Sequence, residues 1–362
     1  MDGWDFLVIV IRVVVIFVML MITTLLLVWF ERKVVADMQD RIGPSRAGPW
    51  GILQTLADGM KLFFKEQITP RKVEFGLYIA APILATVPAF LIFMAVPFGR
   101  PFTLTLGGEP REILLQGADL NIGLLFILSM SSIAVYAVVL AGWSSGSKYP
   151  LLGGVRATAQ AISYEAALGL SVIPVVMYTG SVQLSEIVEF QRANLQFLGN
   201  VIPFIPNWNL FLLAPSFVIF FIAAVAETNR APFDLVEAEQ ELVGGFHTEY
   251  SGLRFALFFL AEYINMFTMS AIAVTLFMGG WSGPTWDGVL PALVSGVLPT
   301  FWFFAKVVVL LFVYVWLRAT LPRLRYDQLM EFGWKRLIPG ALAWLMIIGV
   351  VLAWRQFGNP WS

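Results

Sequence analysis

The chain has 362 residues, of which 59% are hydrophobic and 13% are charged; its mean hydropathy is +0.79 and its formal net charge is −1. Soluble domains carry about 25% charged residues, so this composition indicates a membrane protein and argues against a soluble enzyme. The chain contains no cysteine and a single histidine. These counts exclude disulfides, thiol catalysis, cysteine-ligated iron–sulfur clusters and bis-histidine haem within the chain, so any redox centre must lie on another subunit.

Eight apolar segments are long enough to cross a bilayer as helices. They cover residues 4–30, 76–98, 121–142, 158–179, 209–226, 255–279, 299–317 and 336–356. The sequence therefore predicts an all-α polytopic membrane protein with about eight transmembrane helices, in which residues 1–362 form a single integral membrane domain.

Lysine and arginine are distributed unevenly between the two sets of loops. The loops after the first, third, fifth and seventh spans hold 17 of these residues, whereas the opposite side holds 4. Because basic residues accumulate on the cytoplasmic side, both termini are predicted to face outward. The long first loop, 31–75, and an acidic loop, 227–254, are predicted to face the cytoplasm.

Within the first inner loop, residues 50–66 are predicted to form an amphipathic helix. One face is apolar and consists of Ile52, Leu53, Leu56, Met60, Phe63 and Phe64. The opposite face is polar and consists of Gln54, Asp58, Lys61 and Lys65. Such a helix lies at the inner membrane surface. Two interpretations of it remain open: a peripheral anchor, or one wall of the entrance for an amphipathic ligand.

Five ionisable residues lie within the predicted spans or at their ends. Glu165 and Glu262 lie inside spans, Glu227 closes the fifth span, and Arg12 and Lys306 lie in the first and seventh. A charge at mid-membrane costs about 2.5–3.5 kcal/mol on insertion scales, so such groups usually pair or protonate. Ion pairs that lock helices together are one interpretation, which suits the two bases best. The glutamates outnumber the bases, which favours protonatable carboxylates.

The acidic loop, 227–254, contains six acids and two bases. A short helix is predicted from Pro232, which would place Asp234, Glu237 and Glu241 on one face. Neighbouring carboxylates raise one another's pKa and titrate as a coupled set. The loop is therefore either the start of a chain of carboxylates that conducts protons into the membrane, or a solvated face that docks a basic subunit. Only the first interpretation also explains the glutamates inside the spans.

Three further features have both structural and functional interpretations. His247 is either a proton donor or ligand-binding group, or a structural residue. The paired glycines Gly153–Gly154 and Gly244–Gly245 are predicted to form turns. The basic last inner loop either sets topology alone or places Arg323 and Arg325 opposite the acidic loop.

Several motifs match the pattern of one known family. They are Glu31-Arg32-Lys33, Arg41 to Pro49 (RIGPSRAGP), Ala57 to Lys61 (ADGMK), Gly142 to Arg156 (GWSSGSKYPLLGGVR), Ile162 to Glu165 (ISYE), Glu227 to Asp234 (ETNRAPFD), Glu237 to Tyr250 (EAEQELVGGFHTEY) and Arg323 to Gln328 (RLRYDQ). With these motifs in order, the chain resembles, over nearly its full length, the H subunits of bacterial NADH:quinone oxidoreductase, respiratory complex I.

The resemblance implies a heel subunit at the junction of the membrane and peripheral arms of a redox-driven proton pump. The first and third inner loops would help to enclose a chamber for the substrate, a quinone such as ubiquinone or menaquinone. On this basis the chamber residues are expected to be Arg41, Arg46, Asp58, Lys61, Arg230, Phe233 and Asp234. The carboxylates expected to form a proton channel are Glu165, Glu227, Glu237, Glu239, Glu249 and Glu262, to which we add Glu241 from the acidic loop. Structural or coupling roles are expected for His247, Lys306, Arg323, Arg325 and Asp327.

The resemblance also implies where the remaining machinery lies. FMN and iron–sulfur clusters would belong to peripheral subunits, so this chain would bind no cofactor by itself and would not be catalytic alone. The expected partners are iron–sulfur and quinone-site subunits of the peripheral arm, small membrane subunits, antiporter-like membrane subunits and lipid, but not nucleic acid. The expected location is the bacterial cytoplasmic membrane.

Three positions depart from the family pattern. Ser45 stands where many members have asparagine, Val236 where many have proline, and Ser131–Ser132 where some carry an acid. The last departure removes one possible channel residue. Membrane-bound hydrogenases and ferredoxin-using complexes contain similar subunits, so the electron donor stays open. A transporter that acts alone and a passive anchor for a redox arm also remain as alternatives.

Overall fold

The computed structural model describes residues 3–106, 109–197, 200–235, 243–284 and 292–357. The α-helices in these residues are α1 (Gly3–Met38), α2 (Gln54–Phe64), α3 (Phe75–Met94), α4 (Gly123–Ser144), α5 (Lys148–Thr179), α6 (Leu184–Arg192), α7 (Asn209–Leu212), α8 (Ala214–Glu227), α9 (Gly252–Phe277), α10 (Ala292–Thr320), α11 (Tyr326–Phe332) and α12 (Ile338–Phe357).

Shorter elements connect these helices. Pro49–Gly51 and Gly245–His247 form 3₁₀ turns, and the π-helical turn Gly333–Leu337 joins α11 to α12. Two antiparallel hairpins lie in loops between the long helices: β1 (Phe102–Leu106) pairs with β2 (Glu109–Ile113), and β3 (Asn194–Phe197) pairs with β4 (Asn200–Pro206).

In the described part of the chain, seven helices are long and apolar enough to cross a membrane. They are α1, α3, α4, α5, α9, the Gly296–Thr320 part of α10, and the Tyr326–Trp354 unit of α11 and α12. The remaining predicted span, 209–226, is divided at Leu213 into α7 and the apolar α8. At about 1.5 Å per residue, the 14 residues of α8 reach only part of the way across a bilayer. The prediction of an all-α polytopic membrane protein is confirmed, with one span shorter than expected.

Helix α5 starts earlier than the sequence predicted, at Lys148 instead of residue 158. Gly153 and Gly154 lie inside this helix, so the predicted turn there is wrong. Both glycines are closely packed: a Cβ added to Gly153 would lie 2.7 Å from the Cα of Gly245, in the 3₁₀ turn of the acidic loop, and one added to Gly154 would lie 3.2 Å from the Cα of Gly142 on α4. Gly245 has a φ of 61°, and it does lie in a turn. The close contact between Gly153 and Gly245 therefore places the acidic loop against α5.

Helix α9 is the centre of the bundle. In its most apolar window 72% of the residues are buried, whereas the figure for α1 is 11%. It packs against α1, α3, α8 and α10, and its buried side chains include Phe267, Met269 and Ile272. Because α9 also carries Glu262, that carboxylate is presented to the interior and not to lipid.

Lys306 of α10 holds the C-terminal end of α9 in place. Its ammonium group donates hydrogen bonds to the carbonyl oxygens of Met278 at 2.7 Å, Gly280 at 3.0 Å and Ser282 at 2.5 Å, and it lies 4.5 Å from the ring centre of Trp208. These carbonyls follow the C-terminus of α9, where the helix dipole favours a cation. Backbone carbonyls, and not the expected carboxylate, therefore surround this buried lysine.

Candidate functional site

A cavity of about 100 Å³ lies between α3, α4, α5, α9 and the segment that follows α8. Its polar lining consists of Ser131, Glu227, Thr228, Asn229, His247, Glu262 and Asn265. Its aromatic lining consists of Phe246, Phe255, Phe258 and Phe259. A cavity of this volume with polar lining groups has room for several water molecules.

Two adjacent serines of α4 hold two of the predicted channel acids. The Ser131 hydroxyl donates a hydrogen bond to Glu227 Oε1, and the Ser132 hydroxyl donates one to Glu165 Oε1. Glu165, on α5, and Glu227, at the end of α8, also interact electrostatically. The serines that depart from the family pattern thus join two acids that come from different helices.

The other carboxylate oxygen of Glu227 faces an unusual environment. Glu227 Oε2 is buried and has no hydrogen-bond partner among the described residues, and the same holds for Asn265 Oδ1. Both residues line the cavity. Buried polar atoms in folded proteins are almost always satisfied, and water in the cavity is one group that can satisfy these two oxygens.

A second group of charges lies beside the cavity, and we call it the ionic cluster: Glu31, Arg230, Glu262, Tyr263 and Arg318. Arg230 Nε lies 3.1 Å from Glu262 Oε1, and Arg230 Nη1 lies 3.7 Å from Glu31 Oε1. Tyr263 donates a hydrogen bond of 2.7 Å to Glu31, and Arg318 donates another. The guanidinium of Arg230 also lies 4.3 Å from the centre of the Tyr263 ring. The cluster thus links α1, α9, α10 and the acidic loop.

The ionic cluster balances its charges inside the protein. The Arg230 side chain is only 4% exposed, and burial alone would lower the pKa of its guanidinium. The attraction of Glu262, Tyr263 and Glu31 outweighs burial and raises the pKa of Arg230 above its ordinary value. Arg230 therefore stays charged, and two acids face two bases. Glu262 belongs to both groups, because it pairs with Arg230 and also lines the cavity.

His247 lies on the other side of the cavity as a neutral side chain. Its ring contacts Phe246 and Phe255 edge to face, with ring centres 5.0 and 5.4 Å apart. Burial lowers the pKa of His247 to about 4, although the nearby Asp234 carboxylate acts to raise it. At neutral pH the imidazole is therefore a hydrogen-bonding group and not a positive charge.

The remaining residues of the acidic loop are only partly placed. Residues 231–233 form a turn and 234–235 are irregular, so a helix does not start at Pro232. The described residues do not include Val236, Glu237, Glu239 and Glu241. They therefore leave out most of the face predicted for that helix. Phe233 is buried against the ring of Tyr164, and its carbonyl accepts a hydrogen bond of 2.8 Å from Gln160. The carbonyl of Glu249 accepts one of 2.7 Å from Tyr78.

The candidate chamber residues of the long loop 31–75 lie apart from the cavity, on the surface around α2. The predicted amphipathic helix forms there, starting at Gln54, and the side chains of Leu53, Leu56, Met60, Phe63 and Phe64 are exposed. Arg41, Arg46 and Lys61 are exposed as well. Asp58 accepts a hydrogen bond of 2.6 Å from Arg32. Partial burial acts to raise the pKa of Asp58, but the interaction with Arg32 outweighs it and holds the pKa below its ordinary value.

The backbone of the basic loop that contains Leu324 is hydrogen-bonded to the backbone of the acidic loop. The amide of Leu324 donates a hydrogen bond of 3.0 Å to the carbonyl of Pro232. Arg323 is exposed, and Arg325 forms an exposed ion pair of 2.7 Å with Asp327. The basic segment therefore lies next to the start of the acidic loop, with Arg325 and Asp327 paired to each other.

Sequence reasoning missed the roles of Glu31, Arg318 and Tyr263. A signal for Glu31 was present: Ile16, Leu20, Thr24 and Leu27 form the buried stripe of α1, and Glu31 continues it at helical spacing. Arg318 and Tyr263 had no comparable signal, because their contacts with Glu31 depend on how α1, α9 and α10 come together.

In the residues that the structure describes, seven long apolar helices enclose buried ion pairs and a polar cavity, which defines a multi-pass membrane protein with ionisable groups in its interior. A family model described as NADH dehydrogenase matches residues 11–349, and the chain belongs to this family. It is thus a membrane subunit of an NADH:quinone oxidoreductase, complex I, and acts together with other subunits.

Proposed function

We propose that this chain helps to form the quinone chamber of the complex and couples quinone reduction to proton translocation. The observation that carries the proposal is the double position of Glu262, which pairs with Arg230 and lines the cavity that also contains Glu227. Any charge change near Arg230 alters how strongly Glu262 is held as an anion. The cavity offers a route for protons from Glu262 to Glu227, the second proton acceptor.

The proposed proton route follows the groups in space. A proton taken up by Glu262 passes through cavity water to Glu227 Oε2, the oxygen that lacks a partner among the described residues. Ser131 and Ser132 then connect Glu227 to Glu165 on the far side of α4. Glu237, Glu239, Glu241 and Glu249 would supply the remaining carboxylates of the channel. His247 takes part only as a neutral hydrogen-bonding group.

The proposed quinone entrance lies at α2. The exposed apolar face of this helix would contact the isoprenoid tail, while Arg41, Arg46, Asp58 and Lys61 offer polar groups to the head. Peripheral subunits would complete the chamber and would carry the FMN and iron–sulfur clusters that deliver electrons. Arg230, Phe233 and Asp234 would contribute to the chamber from inside the helix bundle, since Arg230 and Phe233 are buried.

The proposed setting is the bacterial cytoplasmic membrane, with the chain as its H subunit and both termini outside. Because the chain has no cysteine, one introduced thiol reports its own side. A membrane-impermeant maleimide should label Ser45→Cys only in inside-out vesicles and Thr105→Cys only in right-side-out vesicles. The reverse pattern would contradict the orientation.

The coupling role is tested in the assembled complex, reconstituted into liposomes. Glu227→Gln keeps the shape of the side chain but removes its exchangeable proton. Loss of a positioned proton carrier should slow proton uptake at least about tenfold, together with NADH:quinone reduction. The matched control is Glu189→Gln on α6, which changes an exposed glutamate paired only with Arg192 in the next turn, and it should leave both rates unchanged. Unchanged rates in Glu227→Gln would favour a passive anchor.

A further inference from the structure

Arg12 is a charged residue in the helix that is least buried by its own chain. In the most apolar window of α1 only 11% of the residues are buried, and Ile11, Val14 and Val15 are exposed. The first half of α1 thus has few neighbours in this chain. Hydrocarbon does not solvate a guanidinium, so an arginine at this position requires a polar partner.

The position of Arg12 on the helix shows where that partner must approach. Ile16, Leu20 and Thr24 form the buried stripe of α1 at intervals of four residues, and Arg12 extends the same stripe toward the N-terminus. Its Nε atom is buried, with no hydrogen-bond partner among the described residues. In the same part of the chain no acid forms an ion pair with it. The guanidinium therefore lies at the edge of the bundle and has no counter-charge in the described part of the chain.

A lipid headgroup is poorly placed to serve as the counter-charge. Asp5 forms an ion pair with Arg111 in strand β2, which places this end of α1 at the level of the hairpin β1–β2, at one surface of the bundle. Arg12 follows seven residues later, about 10 Å deeper at 1.5 Å per residue. Half of the hydrocarbon core is about 15 Å thick, so Arg12 is closer to the midplane than to the surface. A carboxylate that belongs to a second transmembrane helix can reach this depth without distorting the bilayer.

We infer that Arg12 binds a carboxylate on a transmembrane helix of another membrane subunit, which packs along the N-terminal half of α1. An arginine–carboxylate pair is strong and directional when water is excluded, so one such contact fixes both the depth and the side of the neighbouring helix. The apolar residues around Arg12 supply the rest of the contact surface. This interface does not depend on the proposed proton route.

The test uses the assembled complex in native membranes, with a photoreactive benzophenone residue at one of two positions. Val8 lies one turn before Arg12 on the same side of α1, and Val14 lies on the opposite side. The probe at Val8 should cross-link to one membrane subunit, at a transmembrane segment that contains Asp or Glu. Arg12→Leu should reduce this product about tenfold, the effect of losing one charge-assisted hydrogen bond. Arg12→Lys should retain most of it, and the probe at Val14 should be unaffected.

A second variant keeps the test decisive if Arg12→Leu reduces assembly. Arg12→Glu combined with Lys at the acid found by cross-linking should restore the Val8 product and the assembled complex. Two results would overturn the inference: cross-linking at Val8 to lipid alone, or a product that Arg12→Leu leaves unchanged.

Discussion

Replacing Arg230 with glutamine removes one of two bases that face two acids in the ionic cluster. Glu31 keeps its contacts with Arg318 and Tyr263, so most of the effect falls on Glu262, which loses a guanidinium at 3.1 Å. The ionic cluster then carries one excess negative charge at a buried position, because the Arg230 side chain is only 4% exposed. A structural consequence and a functional one should follow from the same change.

The expected cost follows from the burial of the cluster. Removing one partner of a buried ion pair costs about 3–5 kcal/mol, mainly because the other charge is left uncompensated. The contact between Arg230 and the Tyr263 ring adds about 0.5–2 kcal/mol. We therefore expect Arg230→Gln to destabilise the chain by at least about 3 kcal/mol. In Arg230→Gln/Glu262→Gln the charges balance again, so the double variant should be less destabilised than Arg230→Gln alone.

The assay is the temperature at which the assembled, detergent-purified complex loses half of its NADH:quinone activity. The two single variants, the double variant and the unaltered complex form a double-mutant cycle, and the coupling between the two sites should be about 1–3 kcal/mol in favour of the double variant. Effects that simply add, or an Arg230→Gln complex as stable as the original, would refute the reasoning that this buried pair is held by charge balance.

Three other changes have defined outcomes. Gly153→Ala should impair assembly because its Cβ would lie 2.7 Å from the acidic loop, whereas Gly169→Ala, with no atom within 4 Å, should be tolerated; immunoblots of the assembled complex measure both. In the isolated labelled chain, the NMR signal of His247, its sole histidine, should titrate near pH 4. The stability linked to the neutral imidazole should be complete above about pH 6.5 and lost as the pH falls through 4. A titration midpoint near pH 6.5 would contradict the burial of this side chain. Lys306→Met leaves three carbonyl oxygens without their hydrogen-bond donor and should lower stability by about 2–4 kcal/mol, as measured by thermal inactivation. The control Lys335→Met changes an exposed lysine and should cost less than about 1 kcal/mol. Equal losses in the two variants would argue against the carbonyl contacts of Lys306.

The sequence was sufficient to predict the fold class because membrane spans depend on local composition. Runs of about twenty apolar residues satisfy their own backbone hydrogen bonds as helices, so existence and order could be predicted for all but the divided fifth span. Helix ends were less predictable. Helix α5 begins at Lys148, and Gly153 within its first turns packs closely against Gly245; such tertiary contacts leave no periodic signal in the sequence.

The candidate site was predictable as a set of acids but not as an arrangement. Glu165, Glu227 and Glu262 stood out because charge is rare in spans. Their partners were not evident: Ser131 and Ser132 looked like the loss of a channel acid, yet in the structure they bind Glu227 and Glu165. Pairing between residues far apart in the chain is decided by helix packing, which one sequence does not specify.

The central claim is that quinone reduction changes the protonation of Glu227 through the cavity. Infrared difference spectra of the assembled complex, recorded before and after NADH is added, detect protonated carboxyl groups by their C=O stretching band. We predict a band change on quinone reduction that disappears in Glu227→Gln and persists in Glu189→Gln. An unchanged carboxyl band in Glu227→Gln would contradict the account, because the proton would then be carried elsewhere.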